Sequence, residues 1–204
     1  MKVKINGLYG YAVSKCVSSD TLRPALNGIT IEKHPEKGAY IVGTDGHCLL
    51  CVYDEFADFE GSPGDSIILP NIFEGRKREW TDSFVEIDTE ANIPITVKTK
   101  RKTIILDDAR LIQETPVNWK RVMPAIYKGV NFNFNFHGFN LSLINRLVNA
   151  INKLNNDKSR YNFIKCQYYQ ESQEKPLVLV GEEKWIGVVM PCRDVIINLD
   201  WFKK

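Results

Sequence analysis

The sequence predicts an α+β protein made of repeated β-α-β-β-β units, with the helices on one face of antiparallel sheets. Three observations predict it. Val130-Asn131-Phe132-Asn133-Phe134-Asn135-Phe136 alternates at period two, the pattern of a strand with one buried and one polar face. Leu141, Ile144, Leu147, Val148, Ile151 and Leu154 then recur at three- and four-residue steps with polar residues between them. That spacing predicts an amphipathic helix over Leu141–Asn155, with Asn140 as its N-cap. Finally, Tyr161–Gln170, Pro176–Gly181 and Lys184–Pro191 are rich in β-branched and aromatic residues and separated by polar or glycine-containing breaks, which reads as a strand meander.

The same order can be read twice more, less clearly, toward the N-terminus. Lys2–Ile5 reads as a strand, Leu8–Val17 as a helix, and Gly28–Glu32, Gly38–Val42 and His47–Tyr53 as three strands. A second pass runs from Ser66–Leu69 through a helical segment near Asn71–Trp80 to Phe84–Asp88, Ile95–Thr99 and Thr103–Leu106. Its helix is the weak element, because Glu74-Gly75-Arg76-Lys77-Arg78-Glu79 holds a glycine and little apolar periodicity. One helix and four strands cannot cover both faces of their own sheet, so the units must pack against one another. Linkers are expected at Asp54–Asp65 and around Gln113–Lys128, where Pro116 and Pro124 fall.

With 204 residues, 44% of them apolar and 25% charged, the chain can bury one large core or two small ones, which excludes a disordered tail protein. No stretch approaches the ~20 consecutive apolar residues of a membrane span, and the N-terminus lacks the features of a signal peptide. The expectation is a soluble, cytoplasmic protein with no membrane partner. Five scattered cysteines, Cys16, Cys48, Cys51, Cys166 and Cys192, then read as buried or free thiols rather than a disulfide framework. The net charge of +2 hides two unlike parts: residues 1–125 carry 16 basic against 18 acidic side chains, residues 126–204 carry 11 against 7.

Signatures of catalysis are missing. The sequence has no phosphate-binding loop, no dinucleotide fingerprint, no nucleophile elbow and no His-Glu-x-x-His. Of three histidines, His34 reads as an exposed turn residue and His137 as part of a strand-to-helix turn. His47-Cys48-Leu49-Leu50-Cys51 has the spacing of half a zinc site, but no second ligand pair accompanies it, and on a strand Cys48 and Cys51 point to opposite faces. Structural cysteines are favoured over a metal site or a redox dithiol. No enzyme activity, no cofactor and no metal is expected.

The strongest local signal is the pair Leu22-Arg23-Pro24-Ala25-Leu26-Asn27-Gly28-Ile29 and Gly43-Thr44-Asp45-Gly46-His47. By itself the second is an ordinary hairpin turn. Together they resemble the bacterial sliding clamp, the β subunit of DNA polymerase III, whose middle domain carries segments like "RPVLNG" and "ATDGHRLA". Three further segments follow in order: Ile67-Ile68-Leu69-Pro70 resembles "VIVP", Trp119-Lys120-Arg121-Val122-Met123-Pro124 resembles "YRRVLP", and Val188-Val189-Met190-Pro191-Cys192-Arg193 resembles "VVMPMR". A departure is Cys48, which stands where the family has a basic residue.

The resemblance implies a DNA-clamp-like fold in shortened form. Residues 1–125 correspond to a complete middle domain, residues 126–194 to the second half of the last domain, and residues 195–204 to a C-terminal tail. It also implies a partner-peptide pocket formed by Leu26, Thr44, Gly46, His47, Leu49, Pro124, Val188, Met190, Pro191 and Arg193. Helices lining a clamp ring touch DNA phosphates without reading bases, and the corresponding DNA-facing candidates are Lys15, Arg23, Arg76, Lys77, Arg78, Arg146 and Lys153. A full ring contains twelve units, so a chain of three implies a homo-oligomer. In the tail, Asn198, Leu199, Asp200, Trp201 and Phe202 are similar to the "QLDLF"-type peptides that bind clamp pockets; an extra edge strand over Val195–Leu199 is the alternative.

The function implied is a sliding-clamp-like processivity factor for DNA replication. It would tether a DNA polymerase, or another replication or repair enzyme, to double-stranded DNA through short linear peptides. The alternative is a regulatory clamp-like binding module that occupies clamp partners without encircling DNA.

Overall fold

The computed structural model describes residues 1–20, 22–73, 75–90, 95–98, 103–105, 110–123, 140–154, 166–169, 176–181 and 185–191. The first unit runs through β1 (Lys2–Asn6), α1 (Gly7–Val13) with a following 3-10 turn (Ser14–Cys16), β2 (Gly28–Lys33), β3 (Ala39–Thr44) and β4 (Cys48–Asp54). A two-residue strand, β5 (Asp58–Phe59), interrupts the segment expected to be a linker. The second unit comprises β6 (Ser66–Pro70), α2 (Lys77–Trp80), β7 (Phe84–Asp88), β8 (Ile95–Lys98) and β9 (Thr103–Ile105). In the third, α3 (Leu141–Leu154) precedes β10 (Cys166–Tyr169), β11 (Leu177–Gly181) and β12 (Trp185–Val189). The strand expected at Val130–Phe136, the tail, Pro124 and Arg193 lie outside the described residues.

All pairing among the described residues is antiparallel. The strands form a five-stranded sheet in the order β5-β1-β7-β8-β9 and a seven-stranded sheet in the order β10-β11-β12-β4-β3-β2-β6. The first two units exchange their opening strands. β1 leaves its own unit to pair with β7, from Lys2↔Asp88 to Asn6↔Phe84, while β6 pairs with β2 of the first unit, from Gly28↔Pro70 to Glu32↔Ser66. Each unit thus contributes a strand to the other's sheet.

One apolar cluster joins both sheets and the helices. It takes Ile29, Ile31, Ile41 and Leu50 from the larger sheet, Val3, Ile5, Val85 and Ile87 from the smaller, and Leu147, Ala150, Ile151 and Leu154 from α3. Asn6 starts α1 by accepting from Leu8 N–H at 2.9 Å, and Asn140 accepts from Ser142 N–H at 2.9 Å ahead of α3. The second helix is shorter than expected, a single turn whose only buried residue is Trp80, packed on Phe73 with ring centroids 4.6 Å apart. Leu141 departs from its expected place in the apolar stripe: it is 78% exposed, at the end of α3 where the core stops.

The third unit joins the first through β4 and β12, paired from Trp185↔Val52 to Val189↔Cys48. Here the sheet is covered on both faces. Cys48, Leu50 and Val52 face the main core, while Leu49 and Cys51 belong to a second cluster with Val42, Trp119, Val178 and Val188. Two-sided burial explains the unbroken apolar run Cys48–Val52, which no period-two pattern fits. It also puts Cys48 and Cys51 on opposite faces, as their spacing requires.

Leu147 seats α3 on the third unit's sheet. Its side chain covers Gly187, where an added Cβ would come within 2.9 Å of both Leu147 methyls. Replacing Leu147 with alanine therefore opens a cavity under α3, and the expected loss in urea-induced unfolding free energy is about 2–5 kcal/mol. A loss under ~1 kcal/mol would mean that α3 is not anchored there.

Candidate functional site

A cleft of about 300 Å³ opens on the outer face of the larger sheet, over the seam between β4 and β12. Leu49 of β4 and Val188 of β12 are directly paired across that seam, so their side chains form a continuous apolar floor. Leu26 comes from a 3-10 turn (Pro24–Leu26), and Met190 from the residue just past β12. Thr44, Gly46 and His47 contribute the β3–β4 turn. Opposite them runs the segment Val117, Asn118, Trp119 and Val122.

Seven of the residues expected in a peptide pocket thus meet in one cleft. Pro191, half-buried, is not among those that line it. Trp119 and Val122 are additions to that set, although they sit in the segment matched to "YRRVLP". Trp119 is 7% exposed; its Nε1–H donates to Glu32 Oε2 at 2.8 Å and its ring meets Tyr40 edge-on at 5.3 Å. Lys120 is ion-paired with the other oxygen of the same carboxylate. The wall is therefore fixed before any ligand arrives, which lowers the ordering cost of binding.

The turn is held as firmly. Thr44 Oγ1 donates to Cys48 O at 2.7 Å and accepts from Gly46 N–H at 3.0 Å, while Asp45 Oδ1 accepts from the N–H groups of His47 and Cys48, both at 2.8 Å. Gly46 has φ +89°, a conformation that disfavours any side chain there. Met190 N–H donates to His47 O at 2.9 Å, tying the end of β12 to the turn. Asp45 Oδ2 is ion-paired with Arg146 of α3.

That ion pair joins residues 101 positions apart and leaves the Arg146 side chain 42% exposed. Arg23, also among the DNA-facing candidates, lines the cleft and lies 3.7 Å from the Asp20 carboxylate. Among the described residues, Arg23 is the cation that lines the cleft.

Three of the remaining cations gather on the helical side. Lys15 follows α1, Lys77 lies on α2 and Lys153 on α3. Burial, and then the charge of Lys153, lowers the pKa of both Lys15 and Lys77 below the ordinary lysine value. Like charges brought this close make the surface receptive to anions. Lys15 also lies 4.1 Å from the centroid of the Tyr11 ring, and Arg76 and Arg78 flank Lys77 in sequence.

No cluster of three or more potential metal ligands occurs among the described residues, and none of their helices is long and apolar enough to cross a membrane. Cys16 and Cys48 are buried, and a hydrogen bond to Cys48 together with burial holds the Cys16 thiol well above its usual pKa. Burial pushes the Cys51 thiol up as well. Raised pKa values make the thiolate scarce and the thiols poor nucleophiles. His34 is half-buried rather than free in its turn: Nδ1 accepts from Glu36 N–H at 3.1 Å, and its ring packs on Tyr40 and Tyr53.

Burial by itself would raise the Asp45 pKa, but the N–H donors of Cys48 and His47, and then the Arg146 charge, outweigh it and hold the carboxyl below its ordinary value. A depressed carboxyl contributes stability above its unfolded pKa and loses that contribution as pH falls through the folded one. Asp45→Asn should therefore destabilise the fold by about 1–2 kcal/mol at neutral pH, the range for hydrogen bonds to a charged group discounted for a half-exposed arginine. The gap between variant and parent should narrow in urea titrations at acid pH; a gap independent of pH would contradict this account of the turn.

No protein-family profile and no curated protein matches the sequence. Solved structures do match the fold. The DNA polymerase III β subunit of Pseudomonas aeruginosa aligns with a TM-score of 0.64 at 14% identity, covering 95% of this chain and 66% of that one. A putative DNA polymerase III β subunit from Eubacterium rectale gives 0.63 at 13% identity, with 95% and 66% covered. The Helicobacter pylori β clamp bound to a DNA ligase peptide gives 0.65 at 13% identity, with 94% and 65% covered. The chain thus spans just under two thirds of the length of the clamps it matches. Two antiparallel sheets with few helices, aligned over nearly the whole chain, give it the fold of the bacterial sliding clamp in shortened form.

Proposed function

We propose that this chain is a reduced, clamp-like processivity factor, non-enzymatic, that holds a short peptide of a DNA polymerase or another replication or repair enzyme while its basic helical side rests on double-stranded DNA. On this reading residues 1–125 are one complete clamp-like domain, residues 126–194 half of another and residues 195–204 a tail. More than one copy is needed to encircle DNA. The observation that carries the proposal is the cleft itself: it is apolar, it is built before a ligand arrives, and it lies on the seam where the two parts of the chain meet. A solved clamp of the same fold carries a DNA ligase peptide, which supports a peptide as the ligand. The mechanism is effective concentration: an enzyme anchored to a body that stays on DNA rebinds its template without a fresh encounter.

An apolar floor with a cation at its edge suits a peptide with aliphatic or aromatic anchors and an acidic residue. A fluorescent QLDLF peptide should bind the full chain, and Met190→Ala combined with Leu26→Ala should weaken it at least tenfold, about 1.4 kcal/mol, with circular dichroism unchanged. Equal binding by parent and variant would place the peptide elsewhere. For DNA, replacing Lys15, Lys77 and Lys153 with glutamine should lower the slope of log affinity against log salt by roughly two to three, at ~0.9 for each phosphate that a lysine neutralises. An unchanged slope would remove the helical side from DNA binding. Retention on nicked circular DNA with release on linearisation is the result expected of a tether that encircles; equal retention on both would favour the regulatory module instead.

A further inference from the structure

The solvent side of α3 is built from residues that weaken a helix. Past Leu141 its exposed positions are Ser142, Asn145, Arg146 and Asn149, and Asn152 and Lys153, both half-buried, continue the polar side. Serine and asparagine are poorer helix formers than alanine, lysine, glutamate or glutamine, because their short polar side chains compete for backbone hydrogen bonds. Exposed positions are where packing leaves a helix free to use strong formers and to set Glu four residues before Lys. α3 has no acidic residue, so no such pair supports it. Nothing in the fold offsets the weakness either: among the described residues, the side chains of Asn145 and Asn149 make no hydrogen bond. A local rule broken on an exposed face with no packing gain marks a surface selected for something other than stability.

The surroundings indicate what that surface meets. Asn149 lies three residues after Arg146 and four before Lys153, so on the helix it sits between two cations. Arg146 keeps 42% of its side chain exposed beside Asp45, and Lys153 is near enough for its charge to act on Lys15 and Lys77. α1 and the 3-10 turn after it have no acidic residue either. A strip of amides between cations, on helices with no carboxylates of their own, is complementary to a regularly charged polyanion. Side-chain amides are also among the groups that donate to the phosphates of a duplex.

We infer that Asn145 and Asn149 are contacts to duplex DNA: their amide N–H groups donate to phosphate oxygens that lie between those neutralised by the cations, whatever the base sequence. The inference rests on the proposed DNA-facing role of the helical side and adds to it two neutral residues that a count of charges passes over. Its signature is separable from that of the lysines. An amide neutralises no phosphate and releases no counterion, so it adds affinity without adding to the salt slope.

Fluorescence anisotropy of a labelled duplex of mixed sequence, titrated with the full chain over a salt series, tests it. Asn145→Ala combined with Asn149→Ala should raise the dissociation constant roughly tenfold at every salt concentration and leave the slope of log affinity against log salt unchanged. Alanine is the stronger helix former, so the urea midpoint of this variant should rise, and unfolding cannot then explain the loss. Asn145→Gln combined with Asn149→Gln keeps both amides and should stay close to the parent. Equal affinity of the alanine variant and the parent would overturn the inference. A loss accompanied by a smaller slope would overturn it too, since displaced cations would then be the cause. So would unchanged DNA affinity with a lower mass in light scattering, which would assign the strip to a second copy of the chain. A parent that binds no duplex would overturn the inference together with the proposed DNA role. A parent that binds the duplex but not QLDLF would count against the peptide cleft and leave this inference standing.

Discussion

The antiparallel pairing of β12 with β4 joins residues more than a hundred positions apart, and much of the molecule depends on it. It extends a four-stranded array into a seven-stranded sheet, sets Val188 beside Leu49, and carries α3 across to pack against α1. Shifting this register by one residue would turn Leu49 and Val188 out of step and expose apolar side chains on one face or the other. Because both faces of the seam are covered, the register is specified twice: by Cys48, Leu50 and Val189 toward the main core, and by Leu49 and Val188 toward the outer cluster.

The outer cluster leaves an open cleft for a simple reason. Its cover, the segment around Trp119, blankets part of the sheet and leaves the strip above Leu49 and Val188 open. Polar interactions at the periphery hold the opening in shape: Glu32 fixes Trp119 from one side, and Asp45 fixes the turn from the other. Asp45 also reaches Arg146, so the helix that helps form the basic side and the turn that lines the cleft share one ion pair. A rigid apolar trough with a few fixed polar groups is the kind of site in which side-chain anchors, rather than backbone pairing, set affinity.

Much of the fold is legible in the sequence wherever one face of an element is buried. α3 emerges from its apolar stripe, and the strands Phe84–Asp88 and Gly28–Glu32 from patterns close to the observed bounds. Legibility ends where the physics is not local. β4 has no period because two different neighbours cover its faces, β5 is two residues long, and α2 is a single turn stabilised by Trp80 and not by any stripe. The ion-pair partners of Arg23 and Arg146 stay hidden for a related reason: charge on a helix or loop says nothing of the carboxylate opposite, and the partner of Arg146 lies 101 residues away. The cleft draws on four separate stretches, so no periodicity could assemble it. Motifs are the way to it in the sequence: they carry Leu26, Leu49, Val188 and Met190 into the pocket, and they include Trp119 without marking it as a wall, a place it owes to Glu32.

The central claim is that the β4–β12 seam and the β3–β4 turn together form one peptide site. Hydrogen exchange of the full chain with and without the QLDLF peptide tests it most directly, since backbone protection reports which segments a ligand orders. Amides of residues 44–49 and 187–190 should gain protection together, with the helical side unchanged. Protection confined to the helices, or absent from both segments at saturating peptide, would contradict it.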